Sequence, residues 1–124
     1  MIVNTPEKDV VRAVKEWAQY HPEIMLIRNH TGGIVTETGL RPNENRGAAD
    51  FILQVSCCAA GIPVLVWFEC KSTRGKLSEY QQQFEQEVLK HKGYYFVVRS
   101  IQDAEDAIDC VQKHVQKLVP LGMR

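Results

Sequence analysis

No stretch of this sequence is apolar for long enough to span a bilayer, and none resembles a signal peptide, so nothing points to a membrane-spanning or exported protein. An excess of either charge is also missing, since 15 basic and 15 acidic residues cancel to a formal net charge of +0. Net charge therefore gives no sign of a nucleic-acid partner, and any positive face must be local. The four cysteines, Cys57, Cys58, Cys70 and Cys110, make no C-x-x-C pair and have no histidines at zinc-finger spacing. Free thiols in a reducing compartment are expected, not a zinc site. Repeats, low-complexity tracts and linkers are absent as well. With 124 residues the chain is too short for two ordinary domains, so residues 1–124 are expected to form one. Its 44% hydrophobic and 24% charged residues suit a soluble globular domain.

Thr5-Pro6 reads as a helix start, with Thr5 as N-cap and Pro6 in the first turn. Val10, Val11, Val14, Trp17 and Ala18 recur at helical spacing, and His21-Pro22 ends this helix after about Tyr20. Ile24 to Asn29 reads as a strand. Thr31 to Gly47 is a long loop, with room for a small hairpin around Ile34 to Thr36. Asp50 to Ser56 and Pro63 to Cys70 read as two strands joined by a turn near Ala60-Gly61. A second helix starts at Ser78, carries Tyr80, Phe84 and Val88 as its apolar stripe, and ends at Gly93. Tyr94 to Arg99 is a further strand. Ser100 and Asp103 resemble a capping box before a third helix marked by Ile101, Ala104, Ala107, Ile108, Val111, Val115 and Leu118. The order α-β-β-β-α-β-α predicts an α/β fold, a mixed β-sheet flanked by helices.

The chemistry concentrates at Phe68-Glu69-Cys70-Lys71. Residues two apart in a strand share a face, so Glu69 and Lys71 project together from the end of the apolar run Val64-Leu65-Val66-Trp67. A charge in that position is costly unless it is paired or metal-bound. If the hairpin turn centres near Ala59-Ala60, Asp50 lies opposite Glu69, and a slip of one residue would destroy the pairing. Two converging carboxylates suit Mg²⁺, which keeps waters and substrate phosphate as its other ligands. A neighbouring lysine can orient the attacking water or neutralise charge on the phosphate. A surface salt-bridge cluster would use the same three residues, and D-x(18)-E-x-K alone does not separate the two. Glu7 falls within the apolar stripe of the first helix, either as a third carboxylate or as an acid stabilising the helix N-terminus. Gln81 completes a capping box with Ser78 and also stands within reach of Lys71.

Together these residues resemble the PD-(D/E)XK nuclease superfamily, and within it the VRR-NUC family of virus-type replication-repair nucleases. The resemblance covers most of the chain. It takes in Glu7, Arg28-Asn29, Arg46-Gly47-Ala48-Ala49-Asp50, Phe68-Glu69-Cys70-Lys71-Ser72, Arg74-Gly75-Lys76-Leu77-Ser78, Gln81, Gly93 and Val97-Val98-Arg99-Ser100, leading into Asp103-Ala104. Its most specific part is E-C-K-S-x-R-G-x-L-S-x-x-Q with an upstream G-x-x-D. The superfamily pattern has proline before Asp50 where this chain has Ala49, a departure at a turn residue and not at a ligand.

The resemblance implies a restriction-endonuclease-like fold and phosphodiester hydrolysis with Mg²⁺ or Mn²⁺. Asp50, Glu69 and the backbone carbonyl of Cys70 would bind the metal, Lys71 would assist the attacking water, and Glu7 and Gln81 would be the helix-one acid and helix-two glutamine. Short members resemble phage and bacterial proteins, some of which act as dimers on branched DNA. A cytoplasmic homodimer cutting Holliday junctions is the resulting expectation, with a nicking, flap or restriction-type nuclease, or a silent DNA-binding module, as alternatives. Arg74 and Lys76, just past the catalytic strand, and Arg28 and Arg46, flanking the long loop, are candidate phosphate contacts. Lys90-His91-Lys92 reads as complementing a helix dipole, and Trp17, Trp67 and most of Tyr94-Tyr95-Phe96 as packing.

Overall fold

A computed structural model of the chain describes residues 4–29, 34–36, 39–41, 46–56 and 61–119. Among them are three helices, α1 (Glu7–Gln19), α2 (Glu79–Lys90) and α3 (Ile101–Leu118), and six strands: β1 (Ile24–Arg28), β2 (Ile34–Thr36), β3 (Gly39–Arg41), β4 (Phe51–Ser56), β5 (Pro63–Cys70) and β6 (Tyr94–Val98). The main sheet has the order β1-β4-β5-β6, antiparallel except for the parallel β5–β6 pair. The predicted mixed α/β order is therefore present. The hairpin suggested inside the long loop is a separate two-stranded sheet, β2–β3. The turn at Ala59-Ala60, Cys57 and Cys58, His30 and Pro120 lie outside the described residues; Cys70 and Cys110 are free thiols. No helix among the described residues is long and apolar enough to cross a membrane.

Strand alternation gives the sheet two unlike faces. Phe51, Leu53 and Val55 of β4, Val66, Phe68 and Cys70 of β5, and Val98 of β6 are fully buried on one face. There they form one core with Val10, Val14, Trp17 and Ala18 of α1 and Ala104, Ala107, Ile108 and Val111 of α3. Each large side chain in this core contributes about 1.5–3 kcal/mol by leaving water. Of the predicted α3 stripe, Ile101 and Leu118 stay exposed, because they stand at the two ends of the helix. The opposite face carries Ile52, Trp67 and Tyr95, and α2 covers only part of it: Phe84 packs edge-on to Trp67 at 5.0 Å, while Met25, Ile27 and Leu65 remain exposed. The predicted α2 stripe is therefore only half realised. No α2 residue is fully buried, and Tyr80 points outward with its ring under Arg46, 4.8 Å from the guanidinium.

The element ends differ from the sequence reading in ways that bear on the site. The N-cap of α1 is Pro6, which makes no side-chain cap bond, and not Thr5. Thr5 is used elsewhere: its N–H donates to the Thr73 hydroxyl (2.8 Å), and the Thr73 N–H donates to its carbonyl (3.3 Å). This pair ties the start of α1 to the loop after β5. Gly47 has φ +85, and a Cβ there would meet the Tyr80 carbonyl oxygen at 2.3 Å, so only glycine lets the segment before β4 lie against the first turn of α2. At Ser100 the reciprocal bond is displaced by one residue, the Asp103 carboxylate accepting from the Arg99 N–H (2.9 Å).

The end of α2 also departs from expectation. Lys92, not Gly93, holds the left-handed position, with φ 65. The Lys92 N–H donates to the Leu89 carbonyl and the Gly93 N–H to the Val88 carbonyl, so lysine stands where glycine is favoured. Lys92→Gly should therefore raise stability by about 0.5–1 kcal/mol. Urea unfolding checks this, and an unchanged or lowered midpoint would refute it.

Candidate active site

The β4–β5 register places the site. Phe51 pairs with Phe68, so the next residues outward, Asp50 and Glu69, face each other at the sheet end. Each carboxylate is held by the other strand's backbone. The Asp50 N–H donates to Glu69 Oε2 (3.1 Å), and the Cys70 N–H donates to Asp50 Oδ2 (2.8 Å). Asp50 lies just before β4 and does not begin it, and this frees its side chain to turn across to β5. Its own carbonyl accepts from the Asn29 N–H (2.7 Å), and the Asn29 side-chain amide donates to the carbonyl of buried Ala49 (3.1 Å).

Around the pair stand two cations and an amide. Lys71 Nζ is 3.8 Å from Glu69 Oε1 and 3.6 Å from Glu7 Oε1. Arg28 Nη1 is 3.6 Å from Asp50 Oδ1, and its guanidinium lies 5.2 Å from the Phe51 ring centre. Gln81 does both of the things its position allows: its Oε1 accepts from the Ser78 N–H (2.8 Å) in the capping box, and its Nε2 donates to Glu69 Oε1 (2.6 Å). Glu7 is not on the core side as its spacing suggested. It is 51% exposed at the open start of α1, yet it reaches Lys71, because the Thr5–Thr73 bonds hold that end against the loop. The Cys70 thiol is fully buried in the core, and burial raises its pKa well above the ordinary thiol range.

Glu69 is the one buried charged residue among those described, 2% exposed. Burial first, and then the charge of Asp50, push its carboxyl up from 4.5 to about 8, against the opposing pull of Lys71. The two acidic side chains offer hard oxygens, the donor type that Mg²⁺ takes, and Asp50 and Glu69 are the residues that would hold such an ion. Among the described residues no group of three His, Cys, Asp or Glu stands ready around one point.

Of the other expected residues, Arg74 and Lys76 are exposed on the loop between β5 and α2. Arg46 is also exposed and donates to the Tyr80 hydroxyl (3.1 Å). Arg28 is drawn into the site instead of lying free. Two features escaped the sequence reading. Arg99 Nη1 donates to the carbonyls of Ser72 (2.6 Å), Thr73 (3.4 Å) and Gly75 (2.7 Å), so it clamps the loop that carries Arg74. A lone arginine after a strand carries no signal of such a role. Lys8, Arg12 and Lys15 form an exposed row on α1, opposite its buried stripe. Their i, i+4, i+7 spacing was legible. No family model, no curated protein and no solved structure matches this chain.

Glu69 makes stability depend on pH. Its folded-state pKa of about 8 lies above the unfolded 4.5, so between those values the folded chain holds a proton that the unfolded chain has lost. In EDTA, the stability that Glu69 contributes should be fully present below about pH 4.5 and be lost, by a few kcal/mol, as pH rises to about 8. Glu69→Gln should flatten this fall in urea titrations at several pH values; an equally steep fall in the variant would show that other groups cause it.

Proposed function

We propose that this chain is a metal-dependent DNA endonuclease of restriction-endonuclease-like fold, a member of the group that its motifs resemble, the VRR-NUC nucleases. The observation that carries the reading is the mutual hold of Asp50 and Glu69 across β4 and β5, with Lys71 at 3.8 Å. A salt-bridge cluster would not need a carboxylate as buried as Glu69, whose carboxyl stays raised to about 8 by burial and by Asp50 even with Lys71 beside it, so that its ionised form calls for a further cation. The motif E-C-K-S-x-R-G-x-L-S-x-x-Q also finds a structural use for each of its polar ends, Glu69 and Gln81 being bonded to one another.

On this reading Asp50 and Glu69 would hold a Mg²⁺ or Mn²⁺ ion, assisted by the Cys70 carbonyl. When bound, such an ion supplies Lewis-acid stabilisation of the phosphate and a more acidic water. Lys71, braced between Glu7 and Glu69, orients the attacking water and offsets negative charge on the phosphate oxygens. Water gives up a proton to solvent as it adds to phosphorus, and the P–O bond to one DNA end breaks, its oxygen taking a proton from solvent. Gln81 keeps Glu69 in place. Arg74, Lys76 and Arg46 take phosphates, joined by Lys8, Arg12 and Lys15, which span about 10 Å along α1.

Branched DNA, in particular four-way junctions, is the substrate class that the resemblance favours, with a homodimer presenting two sites to two strands. A nicking, flap or restriction-type nuclease uses the same site, and a silent binding module would not require it. Cleavage of a labelled four-way junction and of matched linear duplex in Mg²⁺, Mn²⁺ and EDTA tests this. Metal-dependent junction cutting, reduced about 100-fold or more by Lys71→Ala, is the expected outcome. Cutting of both substrates would retain the nuclease and remove the junction preference. Failure of the folded protein to cut branched, flapped, linear or single-stranded DNA would leave the binding module. Replacing Lys8, Arg12 and Lys15 by alanine should lower the slope of log affinity against log salt by about 2–3. An unchanged slope would remove α1 from the DNA path.

A further inference from the structure

Tyr95 carries the one buried side-chain oxygen or nitrogen among the described residues that has no hydrogen-bond partner, its hydroxyl. The residue is 8% exposed and lies in β6 opposite Trp67. Alternation along the strands puts it on the α2 side of the sheet, the side that also carries Glu69. Glu69 pairs with Val97, so Tyr95 is one strand over and two residues back from it. Phe84 of α2 lies above, 6.2 Å from its ring centre, and Gln81 and Glu85, one turn apart and both half-buried, flank Phe84. After burial, the groups that raise the Tyr95 hydroxyl's pKa are Glu69, Glu85 and Asp50, in that order. The hydroxyl is thus a buried donor without a partner, on the face of the sheet that carries Glu69.

A buried hydroxyl without a partner is a desolvation cost that nothing offsets. Phenylalanine would fill the same space without that cost, as it does nearby at Phe84 and Phe96. The adjacent Tyr94, on the opposite face, has its partner, His114 Nδ1 at 2.6 Å. A buried water accepts one such bond and has two of its own to donate, the usual three.

We propose that Tyr95 is a positioning residue for Glu69: its hydroxyl, through a buried water shared with Glu85, fixes the Glu69 carboxylate in the orientation that binds a divalent cation. The inference rests on the metal-site reading above and concerns binding, not bond cleavage. Groups that orient a metal ligand in this way change metal affinity by about 10–100-fold when removed.

The test is calorimetric titration of Mn²⁺ into wild type, Tyr95→Phe and Tyr94→Phe, with urea unfolding of each in EDTA. The expected result is a Mn²⁺ dissociation constant raised about 10-fold or more in Tyr95→Phe, unchanged in Tyr94→Phe, with all three proteins folded. Unchanged Mn²⁺ affinity with raised stability in Tyr95→Phe would overturn the proposal, because that is the behaviour of a hydroxyl with no partner. An equal loss in Tyr94→Phe would also overturn it, the effect then being general. A wild type that binds no Mn²⁺ would overturn this inference and the metal site together. Mn²⁺ binding with the expected variant pattern, but no DNA cleavage, would sink the nuclease reading alone and leave the role of Tyr95 standing.

Discussion

Two carboxylates, one almost wholly out of water, stand side by side at the end of β4 and β5, and their repulsion is the constraint around which the rest is arranged. Their burial and their like charge oppose the arrangement. Burial raises the Glu69 carboxyl, and the charge of Asp50 raises it further. They stay together because the register cannot move: Phe51, Leu53 and Val55 and their partners Phe68, Val66 and Val64 are packed under α1 and α3, and a one-residue slip would turn that row into solvent. Core packing on one face thus holds an unfavourable pairing on the other. The strain is then lowered locally by backbone N–H groups, which meet each carboxylate from the opposite strand.

The surrounding elements follow from the same need. Lys71 leaves β5 on the Glu69 face and is braced by Glu7, which is brought close by bonds between Thr5 and Thr73 and not by helix amphipathicity. Gln81 serves two masters because a side-chain amide has a donor and an acceptor end. Its oxygen starts α2 while its nitrogen steadies Glu69. α2 therefore needs little burial of its own, and its first turn is located by Gly47, whose missing side chain leaves room for the Tyr80 carbonyl. Arg99 completes the frame by gathering three carbonyls of the loop that links β5 to α2.

Much of this was legible in the sequence where period and spacing carry the information. The strand pairing of Asp50 with Glu69 followed from counting outward from the turn, and the Ser78–Gln81 box from its spacing. Other features were hidden because they depend on contacts between distant segments. Thr5 has the composition of an N-cap but is drawn to Thr73, 68 residues away. Glu7 fits the apolar stripe by angle, yet lies at the helix end, where that angle no longer means burial. Gly93 looks like a helix stop, but one position decides which residue takes the left-handed turn, and it is Lys92. Tyr80 was assigned to a stripe that α2, covering only part of its face, does not need.

A chain with no net charge is not thereby a poor partner for a polyanion. At physiological salt, exposed charges are screened beyond about 8–10 Å, so a bound strand feels the side chains beneath it and not the whole protein. The acids of α3, Glu105, Asp106 and Asp109, are exposed, and Lys113 pairs with Asp109. By contrast, none of Lys8, Arg12, Lys15, Arg74 and Lys76 is in an ion pair among the described residues, so a phosphate bound by them would displace no such pair. The charge balance is thus a sum of unlike surfaces. On the nuclease reading, DNA would lie over α1 and the 74–76 loop, the two segments that the Thr5–Thr73 bonds join beside Lys71, and would be turned away from α3.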